Sequence, residues 1–168
     1  MNTISTSNVE FKRPAWQNVV MLTLGFWLSA SIILDWVIMP SLYVSGMMTQ
    51  SSFASAGYTI FWSFNRVELL CAGLILTGVM AFGQIKLNWS KSAIFLANVL
   101  VAIALADTYI LTPEMSAIGL QLNWFEAIAE VPANMNLLHG TYWVLEITKL
   151  AVGGTLFAWC WNQLTANS

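Results

Sequence analysis

Charge is what this chain has least of. Its 168 residues include 6 Lys and Arg, 8 Asp and Glu and 1 His, so that 8% are charged, where an ordinary soluble domain carries roughly 25%. A net charge of -2 with no basic patch argues against nucleic acid as a partner. One histidine and two cysteines are too few for a structural zinc, an iron–sulfur cluster or a bis-histidine haem. Cys71 and Cys160 fall in different apolar runs and read as small packing residues rather than a disulfide. There is no Gly-rich phosphate loop, and the spacing supports no Ser-His-Asp order, so enzymatic catalysis has little to stand on. No cofactor is singled out, although a quinone or a haem with a single protein ligand keeps a place.

What the chain has instead is apolar length. Hydrophobic residues make up 58% of it and gather in four runs, at about 16–39, 60–82, 92–111 and 137–161. Each reaches or approaches the ~20 residues that cross ~30 Å of hydrocarbon as a helix. The ten-residue segments of alternating polarity that build a membrane β-barrel are missing. These runs predict an all-α polytopic membrane four-helix bundle forming a single domain over 1–168. The first run is too long for a signal-peptide core and is expected to be retained.

Orientation follows from the basic residues. Lys12 and Arg13 precede the first run and Lys86 and Lys91 flank the second connection, whereas the first and third connections carry Glu114, Glu126 and Glu130 and no Lys or Arg. Both termini are therefore expected in the cytoplasm of a multi-pass protein of a bacterial inner or internal membrane. Trp16, Trp89, Trp159 and Trp161 would mark that interface, and Trp36, Trp62 and Trp124 the opposite one.

The chain also repeats itself in outline. The first run ends Asp35-Trp-Val-Ile-Met-Pro40 and the third Asp107-Thr-Tyr-Ile-Leu-Thr-Pro113, and Pro40 to Arg66 and Pro113 to His139 are both 26 positions. Either a two-helix unit was duplicated or the echo is chance. Each proline is expected to stop its helix, having no N–H to donate. The segment at about 119–129, with Leu120, Leu122, Trp124, Phe125 and Ile128, could form an interfacial helix. Small-residue pairs at Gly25/Ser29, Ala93/Ala97, Ala102/Ala106 and Gly154/Ala158 suggest where helices approach closely.

Ionisable residues inside such runs are costly and are paired, hydrated or used. Asp35, Asn65, Arg66, Glu68, Asp107 and His139 fall at one level beneath the non-cytoplasmic surface, while Glu146 and Lys149 lie deeper and stand three apart, close enough to pair on one helix face. His139, Tyr142 or Trp143, and Glu146 form a polar and aromatic stripe along the fourth run. These eight residues, Asp35, Asn65, Arg66, Glu68, Asp107, His139, Glu146 and Lys149, make up the candidate intramembrane polar network, with Arg66 its expected centre and a carboxylate of another helix its expected partner. Met135 and His139, four apart, are weak candidates for a soft metal such as Cu(I).

Trp27-Leu-Ser-Ala-Ser-Ile-Ile-Leu-Asp-Trp-Val-Ile-Met-Pro-Ser-Leu-Tyr43, Phe61-Trp-Ser-Phe-Asn-Arg-Val-Glu68, Tyr109-Ile-Leu-Thr-Pro-Glu114 and Leu138-His-Gly-Thr-Tyr-Trp-Val-Leu-Glu146 together resemble an uncharacterised family of small four-helix bacterial membrane proteins. That family is similar to a eukaryotic transmembrane protein linked to platinum-drug tolerance and remotely to CopD-type copper-resistance membrane proteins. The matching landmarks are Pro40, Pro113, His139 and Glu146. The resemblance implies fold and topology more than activity.

Two functions are expected on this basis. The first is a non-enzymatic accessory or assembly component of a larger membrane complex, with other membrane proteins or further copies of the chain as partners alongside the lipid bilayer. The second is handling or transport of a small cation, metal ion or proton through the acidic layer. A sealed, fully paired interior would favour the first, and a cavity lined by the carboxylates and open to the non-cytoplasmic side the second.

Overall fold

A computed structural model describes residues 15–47, 52–83, 90–124 and 133–165. Four helices are long and apolar enough to cross a membrane, over Trp16–Val44, Phe53–Ala81, Lys91–Gly119 and Asn134–Gln163. They form an all-α bundle in which consecutive helices pack side by side and the fourth closes back on the first. The first and third helices lie on one diagonal, and the second and fourth on the other, with no close backbone approach across either among the described residues.

The inward stripe of each helix runs at helical spacing. It comprises Gln17, Val20, Leu24, Trp27, Ser31 and Asp35 on the first helix and Asn65, Glu68, Ala72, Ile75 and Val79 on the second. The third gives Ala93, Ala97, Leu100, Ala104 and Asp107, and the fourth Glu146, Lys149, Leu156 and Cys160. Read along the bundle, the half towards Pro40 and Pro113 is polar and the other half is apolar apart from Gln17, whose Nε2 donates to Cys160 O. Leu22, Phe26, Leu70, Phe95 and Ile147 point outward, as lipid-facing residues do. Exposed Thr77 and Thr155 donate to the carbonyls of Gly73 and Ala151 one turn back, which satisfies their hydroxyls without a second helix.

Close packing comes from residues other than most of the expected small pairs. Ala93 and Ala97 are fully buried, but Ala102, Ser29 and Ala158 are exposed. The tight approaches are at Gly78, where a Cβ would run into Val20, and at Gly153, where it would meet Leu28 Cδ2 at 2.8 Å.

Neither proline ends its helix. The first helix passes from an α segment (Ala15–Ser31) through a π turn (Ile32–Ile38) into a further α segment (Met39–Val44), and stops at Gly46 with φ +72°, a left-handed cap that glycine adopts at little cost. The third runs likewise through Ser90–Ala106, a π turn at Asp107–Leu111, and Thr112–Trp124. In each, the residue just before the proline donates to a carbonyl five back, Met39 to Leu34 and Thr112 to Asp107. The register then returns to four at a residue with no N–H, so the bond dropped by the π turn is one proline could not have made, and the wider turn relieves its ring. The expected stop at Pro40 and Pro113 is thereby corrected, and the two helices share one device around one buried aspartate each. The span Gly119–Trp124 continues the third helix instead of starting a separate surface helix, and the rest of the 119–129 segment lies outside the described residues.

Candidate functional site

At the centre of the bundle Lys149 Nζ sits 2.5 Å from Glu68 Oε1 and also pairs with Glu146 one turn earlier on its own helix. All three side chains are buried, at 1%, 2% and 0% exposure. Glu68 Oε1 further accepts Trp27 Nε1 at 2.8 Å and Ser31 Oγ at 3.3 Å. A carboxylate removed from water survives only if donors replace the solvent, and Glu68 collects three, from the first and fourth helices.

Glu146 leads outward from this triad. Its carboxyl lies within electrostatic range of Asp35, and Asp35 Oδ1 accepts Tyr142 Oη at 2.6 Å. Asp35 Oδ2 and Glu146 Oε1 accept no hydrogen bond, and neither do the oxygens of Asp107. Asp107, 1% exposed, stands within electrostatic range of Lys149, Glu68 and Asp35. Among the described residues, four buried carboxyl groups thus face one buried ammonium.

Asp35 also belongs to a cavity of about 390 Å³, lined with Met39, Pro40, Tyr43, Phe61, Thr112, Met115, Ser116, His139, Tyr142 and Trp143. Its rim residues Pro40, Tyr43 and His139 are exposed, so the cavity opens at the Pro40 and Pro113 end. Rings surround it: Phe61 meets Tyr142 edge to face at 5.9 Å between centroids, and Tyr142 meets Trp143 at 6.4 Å. In the opposite direction the cluster is closed by Leu24, Ile75, Leu100, Val79 and Leu156.

Of the residues singled out from the sequence, Asp35, Glu68, Glu146 and Lys149 come together directly and Asp107 lies alongside. Asn65 is buried but holds backbone: its Nδ2 donates to Asp107 O at 3.1 Å and to Thr112 Oγ1 at 2.7 Å, securing the third helix's π turn. Arg66 is not the centre. It is exposed, donates to Trp62 O at 3.1 Å and stacks 3.2 Å from the Trp62 ring, and it makes no ion pair among the described residues. The reason is angular: Asn65 and Glu68, three apart, share the inner face, whereas residue 66 is turned about 200° from residue 68. His139 is exposed on the cavity rim, its Nδ1 2.9 Å from Met135 O. Met135 and His139 thus meet through the backbone carbonyl rather than the thioether. Among the described residues no three His, Cys, Asp or Glu side chains are gathered to hold a metal.

Trp27 and Ser31 were not singled out from the sequence. Their signal is a tryptophan far from either interface followed at four-residue steps by Ser31 and Asp35, a polar stripe on one helix face. No family model, curated protein or solved structure matches this chain.

Proposed function

We propose that this multi-pass membrane protein handles protons or another small cation through the buried carboxyls, exchanging them with the side of the membrane at which the Pro40 and Pro113 end lies. The observation that carries the reading is the double position of Asp35, which lines the open cavity and also lies within electrostatic range of the buried Glu146. A cation arriving at Asp35 meets Glu146, Lys149 and Glu68 in turn, and the excess of carboxyls over the one ammonium gives the interior an affinity for positive charge. The apolar plug beyond Glu68 closes the site towards the opposite surface in this conformation, so carriage through a second conformation that opens the plug, not a continuous pore, is the mode it supports. Two buried aspartates on π turns add to this, because π turns recur where a helix is shaped for function. A sealed and fully paired interior would have supported an accessory role instead; the cavity and the orphaned oxygens of Asp35 and Asp107 speak for the cation. By the distribution of Lys and Arg, the cavity faces away from the cytoplasm of a bacterial inner or internal membrane.

The test is proton movement in proteoliposomes loaded with a pH-sensitive dye and subjected to an imposed pH gradient. Protein-dependent flux should be lost in Asp35→Asn and Glu146→Gln and retained in Glu114→Gln, a residue exposed on the third helix. Equal flux in all four proteins would refute the reading.

A further inference from the structure

The cavity is larger than a proton or a bare ion requires. At about 390 Å³ it has room for on the order of ten waters at ~30 Å³ each, and it falls within the range of small-molecule sites. Its wall is chemically selective. Met39, Pro40, Phe61, Met115 and Trp143 give apolar contact, Tyr43, Phe61, Tyr142 and Trp143 give ring faces and edges, and Asp35 is the ionisable carboxyl among the lining residues. Asp35 is 2% exposed with its Oδ2 accepting no hydrogen bond.

We propose that the cavity binds a monovalent organic cation with an apolar body, of the aryl- or alkylammonium class, its charged head against Asp35 and its body among Phe61, Tyr142, Trp143 and Met115. Three properties of the site select this class. Aromatic rings attract a desolvated ammonium through their negative faces, and a quaternary ammonium, which has no N–H, needs that attraction more than hydrogen bonds. Among the described residues the buried carboxyls outnumber the buried ammonium, so an anion is repelled and a neutral molecule gains nothing from the field. Two methionines in the wall are unbranched and adaptable, which suits bodies of varied shape.

The inference rests on the cation-handling reading and names the cation. Binding is an exchange: with Asp35, Glu68, Asp107 and Glu146 buried beside Lys149 alone among the described residues, a proton held by these carboxyls leaves as the organic cation seats against Asp35, so one positive charge enters for each that leaves. Affinity should fall as the pH is lowered, with close to one proton released per cation bound.

The experiment is calorimetric titration of phenyltrimethylammonium into the protein in nanodiscs, with empty nanodiscs as blank and the measurement repeated in buffers of different ionisation enthalpy to count protons. The uncharged isostere tert-butylbenzene serves as competitor. The expected result is saturable binding with proton release, weakened roughly tenfold or more by Asp35→Asn. That variant keeps an acceptor for Tyr142, and a thermal midpoint matching the parent's checks that it folds. Phe61→Leu should weaken the ammonium while leaving tert-butylbenzene unaffected. If tert-butylbenzene displaces the ammonium at equal concentration, or Asp35→Asn binds as the parent does, the cavity is merely apolar and the proposal fails. If no ammonium binds but Asp35-dependent proton flux persists in proteoliposomes, the organic cation is overturned and the proton reading stands; loss of both overturns both.

Discussion

Lys149 reaches Glu68 at 2.5 Å across a diagonal of the bundle, between two helices whose backbones make no close approach among the described residues. The same ammonium pairs with Glu146 on its own helix. A single cation therefore neutralises carboxylates from two helices and ties the fourth helix to the second through the centre, while Trp27 and Ser31 bring in the first.

Removing one member of such a group costs more than removing all of it, because what remains is an uncompensated buried charge. Lys149→Met should lower stability by ~3–5 kcal/mol, read as a drop in the thermal midpoint in detergent. Adding Glu68→Gln and Glu146→Gln to Lys149→Met should recover most of that loss. A triple variant no more stable than Lys149→Met would show that the ion pairs do not set the stability of the bundle.

Arg66 supplies the contrast. Its guanidinium lies over Trp62 on the exposed face and bonds only within its own helix among the described residues. Arg66→Gln should shift stability by no more than about 0.5 kcal/mol, whereas Glu68→Gln, two positions on, should shift it severalfold further by leaving Lys149 with Glu146 alone. Comparable losses in the two variants would return Arg66 to the interior.

How far the sequence reaches is shown by these two residues. Hydropathy alone places the four helices, since crossing a bilayer demands uninterrupted apolar length, and i,i+3 spacing alone pairs Glu146 with Lys149. Glu68 as the third member is not local information. It depends on how the second helix is rotated about its axis, and the hydropathy of a helix that is apolar on most sides says little about rotation. The start of the second helix at Phe53, earlier than its apolar run at about residue 60, has a local cause: Thr59 bonds back to Ser55 at 3.0 Å, so polar residues continue a helix that hydropathy alone would shorten. The π turns hide because their signature is a shifted backbone bond and not a residue type; Pro40 and Pro113 read as helix ends until the widened turn before each is seen.

The π turn of the third helix is held from outside by Asn65. Asn65→Leu would leave Asp107 O and Thr112 Oγ1 without that donor in a buried setting, at a cost of roughly 1–3 kcal/mol. Amide hydrogen exchange should accelerate at Thr112, whose N–H makes the five-back bond, more than at Met39, which makes the equivalent bond in the first helix. Uniform acceleration at both would mean that Asn65 stabilises the bundle as a whole and not this turn.

The first and second helices meet closely at Gly78, where any Cβ would collide with Val20 Cγ2. Valine is β-branched and held to one rotamer in a helix, so it has no way to swing aside. Gly78→Ala should therefore cost about 1–3 kcal/mol by overpacking. Gly153 faces the Cδ2 end of Leu28 at 2.8 Å, and that flexible end can turn away, so Gly153→Ala should be the milder change. The collision at Gly78 is removable: Val20→Ala in the Gly78→Ala background should raise the thermal midpoint above that of Gly78→Ala alone, although Val20→Ala in the parent lowers it by opening a cavity. If Val20→Ala lowers the midpoint equally in both backgrounds, the first and second helices do not meet at this glycine.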